Sequence, residues 1–273
     1  MIWAEKMKQL SANLPEPETL EWTYCRLMGL DKLAWVNLQR SEILPTEEAK
    51  LTEVAERLSA NEPPQYILGW AEFCDLKFKA NKKVLIPREE TEELVREVLA
   101  AHTNDEKLTV LDIGTGSGAI AISLAKARPN WTVLASDISQ DALDVAAENA
   151  RDLGVTVLFA RSSVFDTLMG AADIIVSNPP YIDPNDWGEV DANVLLHEPR
   201  TALFADHEGY VVYEKLAAGV KEHLSERGEM YLEIGYKQGT RVRTLFETLF
   251  DEVLVKQDMN GKDRYVLCRG FKK

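Results

Sequence analysis

Cysteine and histidine are scarce: the 273 residues contain three of the first and four of the second. Cys25, Cys74 and Cys268 are odd in number and scattered, and no His lies at ligand spacing from them. A disulfide framework and a zinc centre are set aside, no metal is expected, and a reduced, cytoplasmic compartment is. Positive charge is in deficit as well: 31 Lys and Arg stand against 45 Asp and Glu, a net charge of −14. Affinity for a phosphate backbone needs clustered cations, so no direct nucleic-acid partner is expected. Long apolar runs are missing, and none approaches the roughly 18 residues of a membrane span. Met1-Ile2-Trp3 runs straight into Glu5, Lys6 and Lys8, which leaves no apolar signal-peptide core. What is there is a hydrophobic share of 45%, enough for a real core. At roughly 100–200 residues per domain, the length predicts one large domain or two unequal ones.

Residues 1–62 read as a small helical domain. Leu20, Tyr24, Leu27 and Met28 share a face, as do Val54, Ala55 and Leu58, with breaks at Pro15, Gly29 and Pro45 and with Thr46 as a helix N-cap. Pro63-Pro64 is expected to end the helical pattern. Residues 63–88 read as a β-hairpin linker, with strands around Phe73, Leu76 and Phe78 and again at Val84-Leu85, and a turn at Asn81. A helix capped by Thr91 then opens the part spanning 89–273. From Leu108 onward, continuous apolar strands alternate with helices, which predicts strands covered on both faces. The fold class is α/β: a Rossmann-like, doubly wound, mostly parallel sheet. The short turn Asp258 to Lys262 makes one of the last two strands antiparallel.

The first strand of that domain runs into Gly114-Thr115-Gly116-Ser117-Gly118, and a helix follows at once. Glycines allow a sharp turn and close backbone approach to a ligand, and the helix start presents free N–H groups. Asp137 closes the next strand, where a carboxylate can accept from two ribose hydroxyls. Together they imply a nucleoside-containing cofactor. Gly116 to Ala121 also fits the dinucleotide pattern, so the loop alone separates neither NAD from S-adenosylmethionine nor an oxidoreductase from a methyltransferase.

A later strand ends in Asn178-Pro179-Pro180-Tyr181. Prolines fix the backbone and donate no N–H, which leaves rigid carbonyls at the end of a strand, where open α/β sheets bind ligands. A planar NH₂ on an sp² carbon suits such a group: Asn178 Oδ1 accepts one N–H, the Pro179 carbonyl accepts the other, and Tyr181 closes the pocket. An amide nitrogen is a poor nucleophile because its lone pair is delocalised. Two acceptors favour rehybridisation and aim that pair at an electrophile. The alkylated nitrogen is acidic enough to lose its proton without a dedicated base, so positioning and electrostatics carry the catalysis.

These residues resemble class I S-adenosylmethionine-dependent methyltransferases acting on planar nitrogens. Gln65 to Gly69, Val84 to Arg88, Glu90-Thr91-Glu92, Glu198-Pro199 and Leu232 to Gly235 narrow the resemblance to the release-factor glutamine N5-methyltransferases, over nearly the whole chain. The resemblance implies methylation of the glutamine amide in the Gly-Gly-Gln motif of class 1 peptide-chain release factors, with S-adenosylmethionine as cofactor and the release factor as protein partner; separately, a monomer is expected. Gly114, Thr115, Gly116, Ser117, Gly118 and Asp137 would bind the cofactor, with Asn178, Val164 beside the adenine, and Phe73. Asn178, Pro179, Pro180 and Tyr181 would hold the substrate. This chain departs from the family's usual pattern at Glu89, at Cys74-Asp75 in place of Tyr-Gly, and at Val164 in place of an aromatic. A ribosomal-protein glutamine is an alternative substrate with identical chemistry; adenine N6 in DNA is another, against which the acidic charge speaks. His197 is read as a structural loop residue.

Overall fold

The computed structural model describes residues 1–186, 188 and 190–272. It contains two compact units, Met1–Trp70 with Val190–Glu198, and Ala71–Glu189 with Pro199–Lys273.

The first unit holds α1 (Trp3–Ser11), α2 (Glu18–Met28), α3 (Lys32–Leu38), α4 (Pro45–Ser59) and α5 (Pro64–Leu68). Trp3 lies at its centre, with ring centroids 5.2 Å from Tyr24 and 5.8 Å from Trp35, and Leu20, Leu51 and Val54 fill in around it. Three details differ from the sequence reading. Met28 is exposed, beyond the buried stripe of Leu20 and Tyr24. Thr46 does not cap α4: Pro45 opens the helix, and Glu47 takes the free Leu44 N–H at 2.9 Å. Nor does Pro63-Pro64 stop helix formation. Pro64 is the first residue of α5, a position where its missing N–H costs nothing.

The second unit opens at Ala71 within a two-stranded hairpin, β1 (Trp70–Phe73) and β2 (Leu76–Lys79). Its turn is Cys74-Asp75, both at positive φ; the expected turn at Asn81 also forms, with Val84 N–H donating to the Asn81 carbonyl at 3.2 Å, but it joins no second strand pair. Val84-Leu85 forms no strand, because Val84 packs into a pocket of Ala142 and Val145 and Pro87 cannot extend a ladder.

Helix α6 (Glu89–Ala101) leads into the main sheet. In chain order come β3 (Thr109–Ile113), α7 (Ala119–Ala127), β4 (Thr132–Asp137), α8 (Gln140–Asp152), β5 (Leu158–Arg161) and β6 (Ala172–Ser177). Next, α9 (Ala192–His197) belongs to the helical unit, where His197 Nε2 lies 3.0 Å from the Ala60 carbonyl, a structural contact. After α10 (Arg200–Leu203) and the turn α11 (Asp206–Gly209) come α12 (Val211–His223), β7 (Leu224–Glu233), α13 (Gly239–Phe246), β8 (Phe250–Gln257) and β9 (Asp263–Phe271).

The seven strands lie in the order β5-β4-β3-β6-β7-β9-β8, parallel from β5 to β7, with β9 antiparallel to both of its neighbours. Successive strand residues alternate between two cores: Val110, Ile174 and Tyr231 in one, Leu111, Ile175 and Leu232 in the other. That is why these strands read as unbroken apolar runs. The order reverses between β3 and β6, so the chain leaving these two strand ends turns to opposite sides and leaves a crevice.

Candidate active site

The glycine loop and Asn178 meet at that crevice. Ser177, the last residue of β6, donates its hydroxyl to the Ile113 carbonyl at the end of β3 at 2.6 Å, which fixes the two strand ends side by side. Beyond them lies a cavity of about 300 Å³. Gly114, Gly116 and Asp137 line one wall, Asn178, Pro179 and Pro180 the other, and Val164 a third side.

The glycine wall is held mostly by its own neighbourhood. The N–H groups of Gly114 and Thr115 donate to the Ser136 carbonyl at 2.8 and 2.9 Å, and Thr115 Oγ1 donates to buried Asp112 at 2.6 Å. Gly114 and Gly116 have φ of 74° and 55°, and a Cβ on either would meet nothing within 4 Å. Their backbone therefore faces open space. Gly118 is different: a Cβ there would sit 2.7 Å from Ile122 Cδ1 and 3.1 Å from Ala146 Cβ, so this glycine serves the approach of α7 to α8. Thr115 and Ser117 are buried and, like Gly118, lie outside the lining. Asn149 on α8 donates to the Ser117 carbonyl at 2.9 Å and accepts from Lys79 N–H at 2.7 Å, tying loop to hairpin. An isolated Asn in a helix gives no sequence signal of that role.

Asp137 lines the cavity and also buttresses it. Its Oδ2 accepts from Gly116 N–H and its Oδ1 from Ser139 N–H, both at 2.9 Å. Burial pushes its carboxyl above the usual range, and backbone N–H bonds from Ser139, Gly116 and Ile138 oppose the rise. A carboxylate has about four acceptor positions, so capacity remains for a ligand beside these bonds.

On the other wall, Asn178 Nδ2 donates to Thr91 Oγ1 at 3.0 Å. Thr91 therefore does not cap α6, whose first turn it occupies; its own hydroxyl donates to buried Glu233 at 2.7 Å. Tyr181 does not reach the cavity lining. Its ring packs into the core that holds Leu232, Ile234 and Val242, and its carbonyl accepts from Gln238 Nε2 at 3.1 Å. Gly209, at φ 85°, presses so closely on Tyr181 that a Cβ would come within 2.1 Å of that carbonyl oxygen. Tyr181 thus anchors the segment it ends. Phe73 is likewise absent from the lining: it is fully buried edge-to-face against Phe78, at 6.0 Å.

The methyltransferase small domain pattern matches residues 91–267, and the PrmC N-terminal domain pattern matches residues 3–69. The chain is 52% identical over 268 residues to the release factor glutamine methyltransferase of Lactococcus lactis, covering 97% of this chain and 99% of that one. The chain belongs to the release factor glutamine methyltransferase family.

To the Streptococcus pneumoniae member of that family it is 42% identical over 96% of its length and 98% of the relative's. A methyltransferase from Pyrococcus furiosus, at 19% identity, superposes with a TM-score of 0.51 over 70% of this chain and 86% of that one. The family settles what the glycine loop left open and sets the oxidoreductase aside. Among the described residues no group of three His, Cys, Asp or Glu could hold a metal ion. No described helix is long and apolar enough to cross a membrane.

Proposed function

We propose that this chain transfers the methyl group of S-adenosylmethionine to the side-chain amide nitrogen of the Gly-Gly-Gln glutamine in class 1 release factors. The observation that carries the reading is the juxtaposition of an open glycine loop and a proline-framed asparagine on facing walls of one cavity, in a chain of this family.

The cofactor fits what is there. Gly114 and Gly116 leave their side of the cavity clear, Asp137 keeps acceptor capacity for ribose hydroxyls, and apolar Ile138 and Val164 offer flat surface to an adenine. Bound S-adenosylmethionine supplies an electrophilic methyl group on a sulfonium. Everything else falls to the side chains and backbone of the cavity. Asn178 Oδ1 and the Pro179 carbonyl accept the two N–H bonds of the target amide, which orients its nitrogen and draws its lone pair out of conjugation. Pro180 keeps that backbone from relaxing. As the nitrogen gains positive charge, the same two acceptors hold its hydrogens more strongly, so binding energy is directed at the transition state. The proton then leaves to water.

Incubation of the protein with a release factor and S-adenosylmethionine, followed by mass spectrometry of the tryptic peptides, tests the reading. One added methyl on the Gly-Gly-Gln glutamine is the expected result, absent when that glutamine is replaced by alanine. Equal labelling of the alanine variant, or labelling of a ribosomal protein in its place, would overturn it.

A further inference from the structure

The acceptor that faces the substrate is only as good as its orientation, and a carboxamide has two ends. Asn178 Nδ2 donates to Thr91 Oγ1 at 3.0 Å, and Thr91 Oγ1 donates to Glu233 Oε2 at 2.7 Å. Both supporting residues are buried, Thr91 on the first turn of α6 and Glu233 at the last position of β7. A hydroxyl has one hydrogen, and an ionised carboxylate only accepts. The hydrogen of Thr91 therefore goes to Glu233, and its oxygen is left needing a donor. Only the NH₂ end of Asn178 supplies one. The chain of donors runs in one direction, and the planar amide has to turn its Oδ1 away from Thr91, the side from which a ligand can reach it. With the amide reversed, Nδ2 would meet the N–H groups of the target amide, donor against donor.

We propose that Thr91 and Glu233 are positioning residues for methyl transfer: they lock the Asn178 amide with its NH₂ turned into the protein and its Oδ1 presented to the substrate. This rests on the reading of the substrate as a carboxamide. Neither residue touches the reacting atoms.

The lock has a built-in condition. Burial pushes the Glu233 carboxyl up to about 7; Arg264 on β9 and Arg88 at the start of α6 favour its charged form, and Glu90 opposes it. Tyr181, Tyr213 and Tyr265 complete its titratable surroundings. Tyr213 donates to the Glu233 main-chain carbonyl at 2.7 Å and leaves the carboxyl to Thr91. Once protonated, Glu233 becomes a donor. Thr91 can then accept from it and donate to Asn178, which favours the reversed amide. The turnover rate falls as pH drops through the neutral range.

The test compares Thr91→Val, Thr91→Ser and Glu233→Gln in transfer to a release factor, with melting temperature and cofactor affinity measured alongside. Valine keeps the shape and loses the hydroxyl, so the Asn178 NH₂ is left unsatisfied in its working orientation; kcat is expected to fall roughly 10- to 100-fold. Serine keeps the hydroxyl and loses a methyl, so it lowers the melting temperature and restores most of kcat. Glu233→Gln is neutral at every pH, with one donor and one acceptor end as in the protonated carboxyl, so the acid limb of kcat disappears and kcat stays at the low level of the wild type's acid side. Equal kcat in the valine and serine variants, or an unchanged acid limb in Glu233→Gln, overturns the proposal. A wild-type protein that transfers nothing to a release factor overturns the substrate reading, and the lock with it.

Discussion

Thr115 reaches Asp112 across three positions and Gly116 reaches Asp137 across 21, whereas Asn178 reaches Thr91 across 87 and Thr91 reaches Glu233 across 142. The two walls of the cavity are thus assembled in different ways. The glycine wall is a strand, a turn and the next strand, complete within about one βαβ unit. The asparagine wall exists only when α6, β6 and β7 are all in place. A wall built locally tolerates damage elsewhere in the sheet; a wall built from distant pieces transmits it.

The sharpest separation of the two walls is expected from Asn178→Ala. Removing one preorganised group at a site of developing charge costs on the order of 100- to 1,000-fold in rate. Methyl transfer at saturating cofactor should drop by that much, while calorimetry with S-adenosylmethionine shows a far smaller change in affinity. A parallel collapse of both would mean that the walls are one unit.

Gly209→Ala attacks the asparagine wall from behind. Its Cβ would lie 2.1 Å from the Tyr181 carbonyl oxygen, and backbone cannot yield there without moving Asn178-Pro179-Pro180 with it. Positive φ and a backbone clash together should cost about 3 kcal/mol or more in denaturant unfolding, with a loss of rate. Gly116→Ala is the contrast: its Cβ meets nothing, so strain alone costs about 1–2 kcal/mol, and cofactor affinity falls instead because the methyl group points into the cavity.

The sequence carried the glycine wall almost whole, because its residues stand in a fixed order within one motif. It also located Asn178 and the prolines, since strand ends are where such a sheet binds ligands. What it left out are relations rather than residues. Thr91 stands where a helix cap is expected and Glu233 reads as the polar end of an apolar strand; nothing in their order shows that β6 and β7 are neighbours and bring them to one amide. A flat ring after the prolines points Tyr181 to the pocket, and the family resemblance alone points Phe73 to the cofactor, yet both rings pack into cores. The return of residues 190–198 to the helical unit was also invisible, as a six-residue helix carries little periodicity.

Acid–base behaviour sharpens the comparison further, because each wall holds one buried carboxyl pushed up to about 7, Asp112 behind the glycine loop and Glu233 behind the asparagine. A raised pKa means that the folded state prefers the proton: the contribution to stability is complete below the unfolded value near 4 and is lost as pH rises through about 7. Asp112 has an oxygen, Oδ1, with no partner, so it gains least from ionising. Asp112→Asn should flatten the fall in unfolding free energy between pH 5 and pH 8, a difference of about 1–3 kcal/mol across that window. It should leave the acid limb of kcat in place. Glu233→Gln should do the reverse to kcat, and a swap of these two signatures would assign the pH sensitivity to the wrong wall.

The smallest effect is expected furthest from either wall, at the hairpin turn. Cys74 and Asp75 have φ of 49° and 60°, a left-handed pair. Aspartate tolerates this conformation better than most residues but not as well as glycine. The Cys74 N–H donates to Glu92 Oε1 at 3.0 Å, so the turn's geometry is fixed from outside and the strain is borne rather than relieved. Asp75→Gly should therefore stabilise the protein by about 0.5–1 kcal/mol, the relief of strain exceeding the added freedom of the unfolded chain. Rate and cofactor affinity should stay as they are, since neither residue lines the cavity. A change in rate from this variant would mean that the hairpin, through the Lys79–Asn149–Ser117 bonds, reaches the glycine loop and that the local wall is less local than its spacing implies.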